Sequence, residues 1–192
     1  MKLHYEIVQG EFQEESPLEW QSPDERGAWF VMSHKRYELP NELDVDFEEY
    51  DSWNELAEKA SDKPYMFVRW YEHGGISVQL RDNPDGQDWD AGIVGVIFGN
   101  TTEDIKREFA MWQCYVEGDV WEIRILDEEG EFVDGCAGFY GYKYAEEEAE
   151  AMLKQAQAEQ DERDKAERQA QKEVAQARSL AKKHGYILAR EV

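Results

Sequence analysis

Hydrophobic and polar positions fall into short runs bounded by turn-forming residues until residue 145, where one long stretch of helix formers takes over. Leu3 to Val8 alternates loosely as a strand does, and the acidic, proline-containing stretch from Glu11 to Glu25 reads as loop. Trp29 to Ser33 is a continuous apolar run and predicts a buried strand. Over Leu43 to Phe47, apolar residues alternate with Asp44 and Asp46, a spacing that would put the carboxylates on one solvent-facing side. Ser52 with Glu55 three residues on is a capping-box signature, and Trp53, Leu56, Ala57 and Ala60 then share one face of a short helix ending near Ser61. Pro64 to Tyr71 and Gly75 to Leu80 predict a hairpin turning at Glu72, His73 and Gly74. A polar loop from Arg81 to Gln87 leads through Trp89 and Asp90 to a strand at Ile93 to Phe98. Thr101 or Thr102 caps a second helix, in which Ile105, Phe109 and Trp112 recur at spacings of four and three. Asp119 to Leu126 alternates cleanly, Asp127 to Gly130 is a turn, and Phe132, Val133 and Cys136 to Tyr140 complete the sheet.

Residues 145–184 contain no Gly, no Pro and no aromatic, and are mostly Ala, Glu, Gln, Lys and Arg. They predict one helix of about 40 residues, stopped at Gly185 and followed by an apolar Tyr186 to Leu188 segment able to dock as an added strand. The apolar stripe is thin: Ala145, Ala149, Met152, Ala156, Ala166, Ala170, Val174, Ala177 and Leu180. Two forms fit it, a solvated single helix held by charge pairs and a weak coiled coil forming a homodimer through residues 145–184. The expected class is therefore α+β: a mostly antiparallel sheet with two short helices, then a long C-terminal helix. Residues 1–142 form the body and 143–192 the arm.

Charge changes this picture. The 192 residues carry a net charge of -23, and residues 1–142 hold 33 Asp and Glu against 11 Lys and Arg, whereas residues 143–192 hold 11 against 10. The excess lies on the part that also holds every Trp, and with aromatics at 13% that part is expected to fold rather than stay disordered. A surface of that sign repels nucleic acid and membranes and attracts basic clefts, which belong chiefly to proteins that bind DNA or RNA. Cys114 and Cys136 show no CxxC or framework spacing, and no segment has the length of a signal peptide core or a membrane span. A soluble, cytoplasmic protein is expected.

Several spaced segments carry a resemblance. Tyr71-Glu72-His73-Gly74-Gly75, Asp88 to Phe98 (DWDAGIVGVIF), Gly118-Asp119-Val120-Trp121 and Gly138-Phe139-Tyr140-Gly141 occur in an order that resembles a family of uncharacterised proteins encoded by bacteriophages and other mobile elements. Ser33 to Tyr37 (SHKRY) is similar to that family's early strand, and Ala91 departs from the Ser common there. The similarity covers roughly Trp29 to Tyr142 and implies a phage or plasmid setting, with no chemistry attached. In that setting, plasmid antirestriction proteins of the ArdA type and several anti-CRISPR proteins present carboxylates where a defence nuclease expects phosphates, a similarity of strategy rather than of sequence.

The densest acidic run is Tyr37 to Asp51, with Glu38, Glu42, Asp44, Asp46, Glu48, Glu49 and Asp51. These seven are the candidate partner-binding residues, for a basic nucleic-acid-binding host protein or defence nuclease, with no direct binding of nucleic acid or membrane. No catalytic, cofactor-binding or metal-ligating set stands out. His73 with Asp88 and Asp90 would make a metal or acid–base cluster of a small hydrolase only if their loops meet; as hairpin and loop residues they need no such role. Cys136 beside Asp134 has no neighbouring base to activate it and reads as a buried structural cysteine, and Gly92 and Gly95 read as permitting close strand packing. The function expected is that of a non-enzymatic inhibitor acting as a nucleic-acid mimic; a metal-dependent hydrolase and a helical adaptor are the alternatives.

Overall fold

The computed structural model describes residues 2–10, 16–84 and 91–184. Among these residues, seven strands and four α-helices follow in the order β1 (His4–Gln9), α1 (Pro23–Arg26), β2 (Ala28–Met32), α2 (Trp53–Lys59), β3 (Tyr65–Glu72), β4 (Ile76–Arg81), β5 (Ala91–Gly99), α3 (Thr102–Glu117), β6 (Val120–Leu126), β7 (Phe132–Tyr140) and α4 (Tyr142–Lys183). The α+β class holds, but the strands build two antiparallel sheets where one was expected: β2-β5-β3-β4 and β1-β6-β7. Contacts divide the chain into a unit of Gln9–Trp121 and Gly138–Tyr144, and a second of Met1–Val8, Glu122–Ala137 and Ala145–Val192.

In the first unit the alternation of β2 decides the layers. Ala28, Phe30 and Met32 face a core shared with Ile105, Phe109 and Trp112 of α3, the residues whose spacing predicted that helix. Trp29 and Val31 face the opposite way and join Leu56 and Ala57 of α2. The four-stranded sheet is thus covered on both sides, and all five β2 residues are buried. One irregularity keeps the layers matched: Val68 pairs with Gly95 but Arg69 with Ile93, so Val94 is an extra residue in β5. Gly95 also lets β2 approach, because a Cβ there would lie 2.6 Å from the Val31 carbonyl oxygen and 2.8 Å from Met32 Cα. At Gly92 a Cβ would meet nothing within 4 Å, so only Gly95 serves close packing as expected.

The stretch before β2 is more structured than a loop. Ser16 caps a 3₁₀ turn at Pro17–Glu19 and Ser22 caps α1, each through a full capping box with Glu19 or Glu25. Gly27 then ends α1 at φ 73°, a left-handed conformation that favours glycine. Ser52 caps α2 by accepting from the Glu55 N–H, whereas the Glu55 carboxylate accepts from Asp51 N–H at 2.7 Å, one residue earlier than a capping box predicts. Thr101 is the cap of α3.

In the second unit, Leu3, Ile123, Ile125, Ala145 and Ala149 are buried, and Leu3 N–H donates to Gln157 Oε1 of α4 at 3.0 Å. With 42 residues, α4 is roughly 63 Å long at 1.5 Å per residue. Its half-buried positions, Met152, Leu153, Ala156, Gln157, Gln160 and Asp164, continue one face, and from Lys165 to Leu180 every residue is exposed. Gln-to-acid bonds one turn apart, such as Gln160 to Asp164 at 2.7 Å and Gln169 to Glu173 at 2.8 Å, run along its surface. The predicted stop at Gly185 and the Tyr186 to Leu188 segment lie outside the described residues. No helix among the described residues is long and apolar enough to cross a membrane.

Candidate partner-binding surface

The acidic run from Tyr37 to Asp51 lies along β2, the edge strand of its sheet. Met32 N–H donates to Pro40 O at 2.8 Å and Glu42 N–H to Phe30 O at 2.9 Å, with a bridge between Val31 and Asn41. This occupies hydrogen-bonding groups that an edge strand would otherwise leave open. Asn41 then closes a tight loop with its side chain: Nδ2 donates to Val45 O at 2.9 Å and Oδ1 accepts from Val45 N–H at 3.0 Å. Inside that loop Asp44 takes φ 51°, a left-handed turn that Asp tolerates better than most residues. Asp46 caps a 3₁₀ turn at Phe47–Glu49 by accepting from Glu48 N–H at 3.0 Å.

The run is not a strand, yet its alternation does the work expected of it. Leu43, Val45, Phe47 and Tyr50 pack against the core around Trp29 and Leu56, and Phe47 meets Trp53 edge-on at 5.6 Å. Six of the seven candidate residues, Glu38, Asp44, Asp46, Glu48, Glu49 and Asp51, are exposed. Among the described residues, Asp44, Glu48 and Glu49 have no ion-pair partner.

Glu42, the seventh candidate, differs from the other six. Its side chain is 15% exposed and pairs with Arg26, itself 1% exposed, while its other oxygen accepts from Phe30 N–H at 2.7 Å. Arg26 is held further by donating Nε–H to Gln21 O at 3.1 Å. Burial pushes the Glu42 carboxyl up, against the Phe30 N–H and the Arg26 charge that pull it down. Glu42 is thus a clamp beneath the acidic run rather than part of its face. Nothing in the spacing of Arg26 and Glu42 signalled this pairing.

Three segments distant in sequence converge elsewhere on this sheet, for a topological reason. In the antiparallel order β2-β5-β3, the end of β2, the start of β5 and the end of β3 share one end of the sheet. Ser33 to Arg36, Trp70 with Glu72, and Ala91 to Val94 therefore line one cavity of about 500 Å³. His34 stacks on Trp70 at 5.4 Å, and Tyr37 packs on both. Glu72 accepts from Trp70 Nε1–H at 3.1 Å and from Arg36, and its Oε1 lies 3.7 Å from His34 Nε2. Arg36 N–H donates to His34 Nδ1 at 3.2 Å, which leaves Nε2 as the protonated nitrogen. With both Glu72 oxygens engaged by donors, this cluster is built as a structural brace.

Of the proposed metal or acid–base trio, His73 is exposed at the hairpin turn, and Asp88 and Asp90 lie outside the described residues, as does Trp89. Among the described residues, no group of three or more His, Cys, Asp or Glu could hold a metal ion. Cys136 is exposed, which corrects the expectation of a buried cysteine. Cys114 is the shielded one: burial first, then Asp119, whose Oδ2 lies 3.8 Å from its sulfur, push its thiol up to about 11. A thiol raised in this way is the opposite of an activated nucleophile. No protein-family model, curated protein or solved structure matches this chain.

Proposed function

We propose that this protein is a non-enzymatic inhibitor from a phage or related mobile element, which occupies the basic nucleic-acid channel of a host defence protein in place of the polynucleotide. Glu38, Asp44, Asp46, Glu48, Glu49 and Asp51 are its contact residues, and Glu42 supports them from below. The reading is carried by one observation: these six carboxylates are exposed on a segment tied to the edge of a buried sheet by main-chain bonds. A mimic of B-DNA faces a competitor with one charge per roughly 1.7 Å of axis, so its carboxylates must be dense and held in place, not carried on a loose tail. Opposite charge steers association and makes it fast at low salt. Added weight comes from the resemblance of the 33–37, 71–75, 88–98, 118–121 and 138–141 segments to mobile-element proteins.

The test is capture from host-cell lysate on immobilised protein, at low and at physiological salt, with free duplex DNA as competitor. The parent should retain proteins that duplex DNA releases. A variant with Glu38, Asp44, Asp46, Glu48 and Glu49 changed to their amides should lose most of that capture, while single changes do little. Equal capture by the multiple variant would remove this surface from the function.

A further inference from the structure

The acidic run is also one wall of a second cavity, of about 680 Å³, at its Tyr37 to Glu42 end. Its lining includes the aromatic residues Tyr37, Trp70, Trp112 and Tyr115 and the acids Glu19, Glu38 and Glu42, with no Lys, Arg or His. The volume lies within the ~300–1,000 Å³ typical of sites that take a small group. Ring faces and carboxylates present the same negative sign, so the occupant they favour is a cation. Of the three acids, Glu42 is satisfied by Arg26 and Phe30 N–H, and Glu19 accepts from Ser16 N–H at 3.3 Å. Glu38 makes no hydrogen bond or ion pair among the described residues, so it is the carboxylate left to meet a ligand. The Tyr115 phenol is pushed up by burial and by the charge of Glu19, which is what a negative interior does to a group that ionises to an anion.

An exposed carboxylate paired across an interface at physiological salt adds little affinity. Charge of that kind sets the rate and the partner class; affinity comes from a few groups buried in pockets, among which arginine is common. A guanidinium is planar, weakly hydrated and stacks on aromatic rings while pairing with a carboxylate, whereas an ammonium holds its water more tightly. We propose that this cavity is the anchor of the acidic surface and takes an arginine side chain of the basic partner, its guanidinium against the aromatic walls and paired with Glu38. The proposal rests on the mimic reading for its occupant, and on the lining alone for the charge and shape of that occupant.

The test titrates a blocked Gly-Arg-Gly peptide, and the same peptide with citrulline in place of arginine, against the full chain while tryptophan fluorescence is followed. Citrulline keeps length and planarity but removes the charge. Arginine should give a saturable change and citrulline one at least about fivefold weaker. Glu38→Lys, at an exposed and unbonded position, should abolish the response with an unchanged circular dichroism spectrum, and Glu129→Lys, at the exposed β6–β7 turn, should leave it intact. No saturable response, equal responses to the two peptides, or a Glu38→Lys variant that binds like the parent would each overturn the proposal. Absence of DNA-competable capture by the parent protein, with arginine-peptide binding present, would instead sink the mimic reading and leave the arginine site standing. Free arginine binding as well as the peptide while lysate capture is insensitive to Glu38→Lys would make it a small-molecule site and overturn the partner assignment.

Discussion

Gly95→Ala is the sharpest probe of how the acidic run is held. A Cβ at this position would lie 2.2 Å from Met32 Cγ, 2.6 Å from the Val31 carbonyl oxygen and 2.8 Å from Met32 Cα. The first contact could be relieved by a rotamer change; the other two are backbone. To restore ordinary contact of about 3.4 Å, β2 must move several tenths of an ångström from β5, and it is not free to do so. Met32 is paired with Gly95, Ser33 N–H donates to Val94 O at 2.8 Å, and Met32 N–H donates to Pro40 O at 2.8 Å. Overpacking costs typically about 1–3 kcal/mol, and contacts with anchored backbone place this site at or above the top of that range. With a urea slope of roughly 2 kcal/mol/M, a loss of about 3 kcal/mol lowers the unfolding midpoint by about 1.5 M. Every Trp of the chain falls within Gln9–Trp121, so Trp fluorescence reports this unit. Met32→Ala added to Gly95→Ala removes Cγ but neither backbone contact, so it should restore nothing. Gly92→Ala, where a Cβ meets no atom, should stay within about 0.5 kcal/mol of the parent. A Gly95→Ala protein as stable as the parent, or one rescued by Met32→Ala, would refute the β2–β5 register on which the placement of the acidic run depends.

Glu42→Ala should cost about 3 kcal/mol or more, because it orphans both the buried Arg26 and the Phe30 N–H, while Glu42→Gln keeps the acceptor and should cost less. Since burial raises the folded carboxyl above its ordinary 4.5, the stability it contributes is fully present below that value and is lost as pH rises through the folded pKa; the parent's advantage over Glu42→Gln, read from urea midpoints, should therefore shrink from pH 4 to pH 7. Mass spectrometry after brief iodoacetamide treatment at pH 8 should find exposed Cys136 alkylated and Cys114 protected, and equal labelling would contradict the shielding by burial and Asp119. Amide exchange along α4 should be slowest near buried Ala145 and Ala149 and fast beyond Lys165, with uniform protection pointing to a covering partner.

Much of this fold is legible in the sequence because its signals are local. The Ser52 and Thr101 caps, the Gly74 turn and the four-and-three spacing of Ile105, Phe109 and Trp112 act within one or two turns of chain, and each lands within two residues of the element predicted. The split into two sheets was not legible, since pairing partners are chosen over long separations by which faces two runs can bury together. The Arg26–Glu42 clamp escaped for the same reason: sixteen residues and a strand separate the partners, and no period links them. Two local signals were there to be read, Ser16 with Glu19 and Ser22 with Glu25, each followed at once by a proline, which marks a helical start inside what resembled an acidic loop. The charge of α4 is another: residues 145–164 hold eight acids against two bases, and residues 165–184 six bases against two acids. Totals over the whole arm conceal this division.

The distribution of bases sharpens the case for the acidic face. The run from Tyr37 to Asp51 contains no Lys or Arg; Arg26 beneath it is taken up by Glu42, Arg36 pairs with Glu72 and Lys59 with Glu55, while exposed Lys35 makes no ion pair among the described residues. Asp44, Glu48 and Glu49 have no counterion among the described residues, so like charge in this run carries a cost that salt screens over a Debye length of about 8 Å. Solubility alone does not call for charges to be crowded in this way, since the same acids dispersed among bases would serve it with less repulsion. The multiple amide variant should accordingly be at least as stable as the parent, and more so at low salt. If it gains stability and also loses DNA-competable capture, the strain in that face is tied to its use; if it gains stability and captures as before, the crowding belongs to folding alone and the mimic reading falls.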